Sequence, residues 1–208
     1  MTTRIAIVLY DGFDEMDAIA PYEVFSHAAT RGCDLDVSLR TLDPTDQITA
    51  SHGLRVEHDG PLADADPDIL VVPGGGWNDR ADESAWTEAQ KGDLPETVAD
   101  LHDRGATVAA VCTGGMLLAE AGVLDGRPAV THAGAIDDLR DSDAEVVEAR
   151  VVDDRDVLTA GGVTSGLDLA LHLVERLCGE EVAEQVATEI EYEPRGEVRE
   201  SEDEVHKS

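Results

Sequence analysis

Apolar positions along the chain follow two rhythms that alternate from one end to the other. "RIAIVLY" (4–10) is almost continuously apolar and stops at Asp11-Gly12, the pattern of a strand buried on both faces. Between Met16 and Ala29 the rhythm changes, and Ile19, Ala20, Val24, Phe25 and Ala28 fall on one helical face ahead of a stop at Gly32. "LDVSLRTLD" alternates as a second strand, and "GLRVEHDG" reads as a short extended piece. "DILVVPGGG" is a buried strand that breaks at Pro73 into glycines, and a polar helix is predicted over about 94–104.

"TVAAVC" is the next strand, continued at once by a helix from Thr113 to Ala121 and then by a short strand, "AVTH". "AEVVEARVVDDRDVLTAGG" predicts two β-segments around a turn at 153–156. "GLDLALHLVERLCG" is an amphipathic helix stopped by Gly179, and a last helix covers about 181–191. Strands alternating with helices predict an α/β fold with a mainly parallel central sheet covered on both faces. One domain over 1–193 is expected, followed by an acidic, disordered tail over 194–208.

Ligands of such sheets bind at the carboxyl ends of strands. Three candidate stretches lie at such ends. Cys112 closes a strand and Thr113 opens a helix, with Ala110 two before and Gly114 two after, the spacing of a nucleophile elbow. The helix N-terminus would favour a thiolate, and the Thr113 amide could donate to a developing oxyanion; an inert buried cysteine would carry the same spacing. In "PGGG" (73–76), Gly75 is the candidate second oxyanion donor, although the run also suits an ordinary turn. In "FDEMDAIAPYEVF", Asp14, Glu15 and Asp17 suit a helix start, and one facing inward could exchange protons with the thiol.

Composition narrows the partners. The 46 acidic against 15 basic residues give a formal charge of −31, which argues against nucleic acid. The acids are spread along the chain, so they fit a surface adapted to high salt better than a site for a cationic partner. No run approaches about 18 apolar residues, and the N-terminus turns acidic with no cleavage signal, so a cytoplasmic protein without a membrane partner is expected. Cys33, Cys112 and Cys178 are odd in number and widely spaced, which predicts no disulfide framework, fits a reducing compartment and leaves Cys33 and Cys178 in packing roles. No histidine cluster has ligand spacing, so no metal is expected. His172 reads as packing or surface.

The three strand ends in this order, with "VTH" and "LTAGGVTSGLDLALHLVERLCG" behind them, resemble the DJ-1/PfpI superfamily over about residues 4–192. The resemblance implies a flavodoxin-like three-layer sandwich, a homodimer, no cofactor and a reactive elbow cysteine. "MDAIAPYEVF" and "CTGG" are similar to the branch of isonitrile hydratases and AraC-type sensor domains. In that branch Cys112 matches the nucleophile, Asp17 the acid/base carboxylate, Thr113 the residue after the nucleophile and Gly75 the oxyanion glycine.

Thr113 stands where the protease and Hsp31-type branches carry a histidine, Asp17 where DJ-1 carries a glutamate, and "VTHA" where hydratases read "TTHW". His132 is either the base of a Cys–His pair or a strand-end residue that shapes the pocket. The activity implied is hydration of a small electrophilic isonitrile to a formamide. A glyoxalase or deglycase acting on α-oxoaldehydes, and a sensing module whose thiol oxidises, use the same residues. The acidic tail leaves no helix-turn-helix expected after it.

The charge reading makes a prediction of its own: the melting temperature rises between low salt and molar sodium chloride. A thermal denaturation series in salt checks it, and a flat or falling series removes the high-salt reading.

Overall fold

The computed structural model describes residues 1–201. The first unit is β1 (Thr3–Leu9), α1 (Glu15–Thr30) and β2 (Leu35–Thr41), and α1 starts where the Asp14 side chain accepts the Met16 N–H. A small hairpin, β3 (Ile48–Thr49) and β4 (Arg55–Val56), precedes β5 (Ile69–Val72). Then come α2 (Ala85–Lys91), α3 (Asp93–Asp103), β6 (Thr107–Val111) and α4 (Gly114–Glu120). β7 (Pro128–Ala129), α5 (Ile136–Arg140) and β8 (Glu145–Val146) form an outlying patch. β9 (Val151–Asp154), β10 (Val157–Ala160), α6 (Ser165–Cys178), α7 (Glu180–Glu189) and β11 (Val198–Glu200) complete the order.

Seven strands form one sheet in the order β11-β9-β10-β6-β5-β1-β2. The run from β10 to β2 is parallel, and β9 turns back antiparallel to β10. β1, β5, β6 and β10 are buried almost throughout, which is why their sequences read as unbroken apolar runs. Helices α1, α6 and α7 pack together, and α2, α3 and α4 form a second group, one group for each face of the sheet. The strand order reverses between β1 and β5, so the carboxyl ends of β1, β5 and β6 meet at the switch point.

Two expectations are corrected. Residues 194–201 are not a disordered tail: the Arg195 N–H is bonded to Asp168, and β11 pairs with β9. Backbone pairing needs no apolar signature, so an acid-rich segment hid an edge strand; residues 202–208 lie outside the described residues. Secondly, Cys33 and Cys178 do not merely pack. They form a disulfide with Cα atoms 5.7 Å apart across 145 residues of sequence, a pairing no spacing rule could reveal. The cysteine count therefore no longer supports a reducing compartment. α2 and α5 occupy stretches to which the sequence pattern assigns no element. Among the described residues, no helix is long and apolar enough to cross a membrane.

His172 is buried on α6 with Nε2 2.6 Å from Asp153 Oδ2, so packing and a hydrogen bond occupy it.

Closing so long a loop stabilises by up to about 5 kcal/mol in the chain-entropy account. Reduction, or Cys33→Ser, is therefore expected to lower the melting temperature by roughly 10 °C. Alkylation of the unfolded, unreduced protein should label one thiol per chain; three labels would show that the disulfide is absent.

Candidate active site

Cys112 follows β6 directly, and its backbone is left-handed, with φ 58°. A side chain other than glycine holds that conformation at a cost of about 1–3 kcal/mol and only where its neighbours enforce it. Here they do. The Cys112 N–H donates to the Gly161 and Ala160 carbonyls at 2.9 and 3.1 Å, and its carbonyl accepts the Thr131 hydroxyl at 2.9 Å. The sharp turn turns the thiol off the strand axis, as the A-x-C-x-G spacing predicts.

The turn closes only because its neighbours lack side chains. A Cβ on Gly114 would meet the Val72 carbonyl, and one on Gly74 would lie 2.8 Å from the Gly114 nitrogen, against Thr113 as well. Gly75, at φ 139°, sits against the Gly12 carbonyl and 2.6 Å from the Asp14 nitrogen on the same test. Gly75 and Gly74 thus let the chain after β5 touch the loop after β1 and the elbow after β6 respectively.

Asp17 enters from the first turn of α1 and is fully buried. Its Oδ2 accepts the Gly74 N–H at 3.0 Å, while Oδ1 meets no N–H or O–H donor among the described residues. The carboxyl's remaining polar neighbour is the Cys112 thiol. Burial, reinforced by the Asp14 charge, pushes the Asp17 carboxyl up to about 8, against the pull of the Gly74 N–H and the thiol. Burial and the Asp17 charge push the Cys112 thiol up to about 12, against hydrogen bonds from the Thr113 and Val163 amides. The expected thiolate at a helix N-terminus is thus corrected: α4 has only seven residues, and desolvation outweighs its amides.

The remaining candidates fall into place differently. Thr113 is 3% exposed, and its hydroxyl accepts the Gly75 N–H at 2.9 Å. Gly75 therefore spends its donor on Thr113 and is no free oxyanion donor; it fixes Thr113 instead. The second amide at the sulfur comes from Val163, beyond β10, a residue the sequence reading passed over. His132 is half-buried, and its Nδ1 accepts the Gly134 N–H at 3.0 Å and lies 3.4 Å from Asn78 Nδ2. It caps the 3-10 turn Ala133–Ala135, its ring lies beside Gly162, and it is not a hydrogen-bond partner of the thiol, which corrects the Cys–His base.

Two supports were invisible in sequence. The buried Tyr10 hydroxyl donates to the Pro73 carbonyl at 2.8 Å and so ties the end of β1 to the glycine run. Trp77 donates from its indole to Asp138 at 2.6 Å, and Arg80, bonded to the same oxygen at 2.9 Å, lies over the Trp86 ring. These contacts pin the segment after the glycines to α5.

Comparison with known proteins agrees with this architecture. Residues 3–176 match the model of the DJ-1/PfpI family. An isonitrile hydratase from Pseudomonas putida is 32% identical over 201 residues, covering 93% of this chain and 80% of the relative. The Parkinson disease protein 7 homolog of Danio rerio is 30% identical over 190 residues, covering 88% and 94%. Among solved structures, a ThiJ/PfpI family protein from Pseudomonas syringae superposes with a TM-score of 0.78 at 29% identity, covering 94% of this chain and 77% of its own. With the fold, the left-handed elbow cysteine and the carboxyl from α1 all in place, the chain belongs to the DJ-1/PfpI family.

Proposed function

We propose that the protein hydrates an isonitrile to an N-substituted formamide, with Cys112 as nucleophile and Asp17 as the proton carrier. The observation that carries this reading is the pair itself. A fully buried carboxyl raised to about 8 holds a proton at neutral pH beside a thiol that has no histidine partner among the described residues. The similarity to the Pseudomonas putida isonitrile hydratase supports the substrate class. So does access: at 6% exposure the thiol suits an electrophilic atom at the end of a narrow rod, as an isonitrile carbon is.

Removing one proton from the pair produces the reactive state, in which a single proton is shared between sulfur and carboxyl. Sulfur attacks the terminal carbon, and Asp17 delivers the proton to that same carbon, giving R–N=CH–S–Cys112. Water then adds at this carbon while the nitrogen takes a proton. The C–S bond breaks, the thiol regains its proton, and R–NH–CHO leaves. The sum is isonitrile plus water, with no oxidant required. Charge on the sulfur is met by the Thr113 and Val163 amides, and Thr113 is held by Gly75.

Incubation with para-nitrophenyl isocyanide should yield the formamide, and Cys112→Ala should abolish it. Absence of formamide from the parent protein overturns the reading. Lactate from methylglyoxal in a parallel assay would move the substrate to an α-oxoaldehyde.

Asp17→Asn, nearly isosteric, is expected to lower kcat/KM by about 10²–10⁴-fold. In the parent, kcat/KM should rise with pH to a plateau above about 8, as the pair loses its first proton. The same shift has a stability consequence. Folded Asp17 keeps a proton that the unfolded chain releases at 3.8, so its favourable contribution is complete below that pH and is lost as pH rises through about 8. The melting temperature of Asp17→Asn relative to the parent should therefore climb between pH 5 and pH 8, and a constant difference would show an ordinary carboxyl.

A further inference from the structure

Thr131 and Gly161, which clasp the Cys112 backbone, also belong to the wall of a separate cavity of about 430 Å³. It lies between the segment after β7, the stretch from β8 to β9 and the start of α6, and neither Cys112 nor Asp17 lines it. Val130, Ile136, Val146 and Val147 make its sides apolar. Ser165 lines it as well. That serine is 2% exposed, and no group among the described residues is hydrogen-bonded to its hydroxyl. A buried hydroxyl without a partner is costly, and a polar ligand atom would supply one. The floor is open: apart from its chain neighbours, a methyl placed on Gly161 would meet nothing closer than the Ser165 hydroxyl at 3.5 Å.

The charge around the cavity reverses that of the chain. Arg140 and Arg150 line it against one carboxylate, the exposed Glu148, whereas the whole chain carries 46 acidic and 15 basic residues. Arg150 spends Nε on Asp168 and Nη2 on Thr164 and Tyr192, and its Nη1 has no partner among the described residues. Arg140 spends one nitrogen on Asp137. We propose that this cavity binds a small carboxylate carrying a branched apolar body. The free guanidinium donors and the Ser165 hydroxyl take the carboxylate oxygens, and the aliphatic sides bury the hydrocarbon. A phosphate dianion would lose hydration against four aliphatic side chains, so a carboxylate on a hydrocarbon suits both halves of the cavity. Because Thr131 and Gly161 serve both wall and clasp, the bound molecule rests on the frame that holds Cys112.

This site stands apart from the isonitrile reading, so its test requires no turnover. The full chain is titrated with isovalerate and with two partial probes: acetate, the anion without the hydrocarbon, and isovaleramide, the hydrocarbon without the charge. Amide chemical shifts in NMR locate and quantify binding. Removing Arg150 would strand the buried Asp168 carboxylate and risks unfolding, so the variants are Ser165→Ala, Arg140→Gln and Gly161→Ala. Arg140 is exposed, and the Gly161 methyl fits without a clash, so each variant should keep the parent's fold.

Isovalerate should move the amides of Val146, Val147 and Ser165 together along one saturating curve. Acetate and isovaleramide should each bind at least about tenfold more weakly, one for want of buried hydrocarbon and the other for want of charge-assisted hydrogen bonds. Ser165→Ala and Arg140→Gln should each weaken isovalerate several-fold, the latter with a shallower dependence on salt. Gly161→Ala, whose methyl takes up the floor, should weaken it as well. Isovaleramide that binds as tightly as isovalerate overturns the proposal, as does isovalerate binding unchanged in both Ser165→Ala and Arg140→Gln. Shifts confined to residues away from the cavity, or none up to tens of millimolar, overturn it too.

Discussion

The architecture of the site depends on close approach of main chain to main chain. Three strand ends meet with no room for a side chain between them: the loop after β1 lies on Gly75, the glycine run lies on the elbow, and Gly114 lies on the end of β5. The close approach brings backbone N–H groups to acceptors on the main chain and on side chains. Asp14 N–H reaches the Gly74 carbonyl at 2.8 Å, Gly74 N–H reaches Asp17, and Gly75 N–H reaches Thr113. That lattice over-determines the left-handed backbone at Cys112, which is how a conformation of positive φ persists outside glycine.

The same closeness determines the electrostatics. Main-chain amides fill the space that water would otherwise occupy, so a carboxyl and a thiol face one another in a poorly solvated gap where neither ionises readily. The Asp17 charge raises the thiol further, so the two are not charged together at neutral pH. A carboxyl raised by burial titrates in the range that imidazole covers in a wetter cleft.

Much of this was legible in sequence because the relevant signals are local. Apolar runs gave the strands, helical periodicity gave α1, α4 and α6, and the offsets around Cys112 gave the elbow. Asp17 and the glycines after Pro73 were legible because strand ends in an α/β sheet point to one edge. The illegible parts are tertiary quantities. Val163 acts through its amide, which any residue but proline possesses, and only the glycines before it hint at a close approach. The acceptor for Gly75 is the hydroxyl of Thr113, 38 residues away in sequence, and the cap that occupies His132 depends on how the chain turns after β7. Desolvation of the thiol follows from packing on all sides, so a helix-start argument alone gave it the wrong direction. Cys33 and Cys178 meet only because α1 and α6 run side by side.

That last pairing has a mechanical meaning. α1 begins at Asp17's turn and α6 begins at the Val163 segment, so both helices start at the thiol and run away from it in contact. The disulfide fastens them at their far ends. Two rods joined at one end behave as tongs: sliding along the common axis is blocked, and what freedom remains is a pivot whose opening is widest at the jaws. The jaws here carry Asp17 and the Val163 segment, so a crosslink at the far ends limits how far these two walls can part.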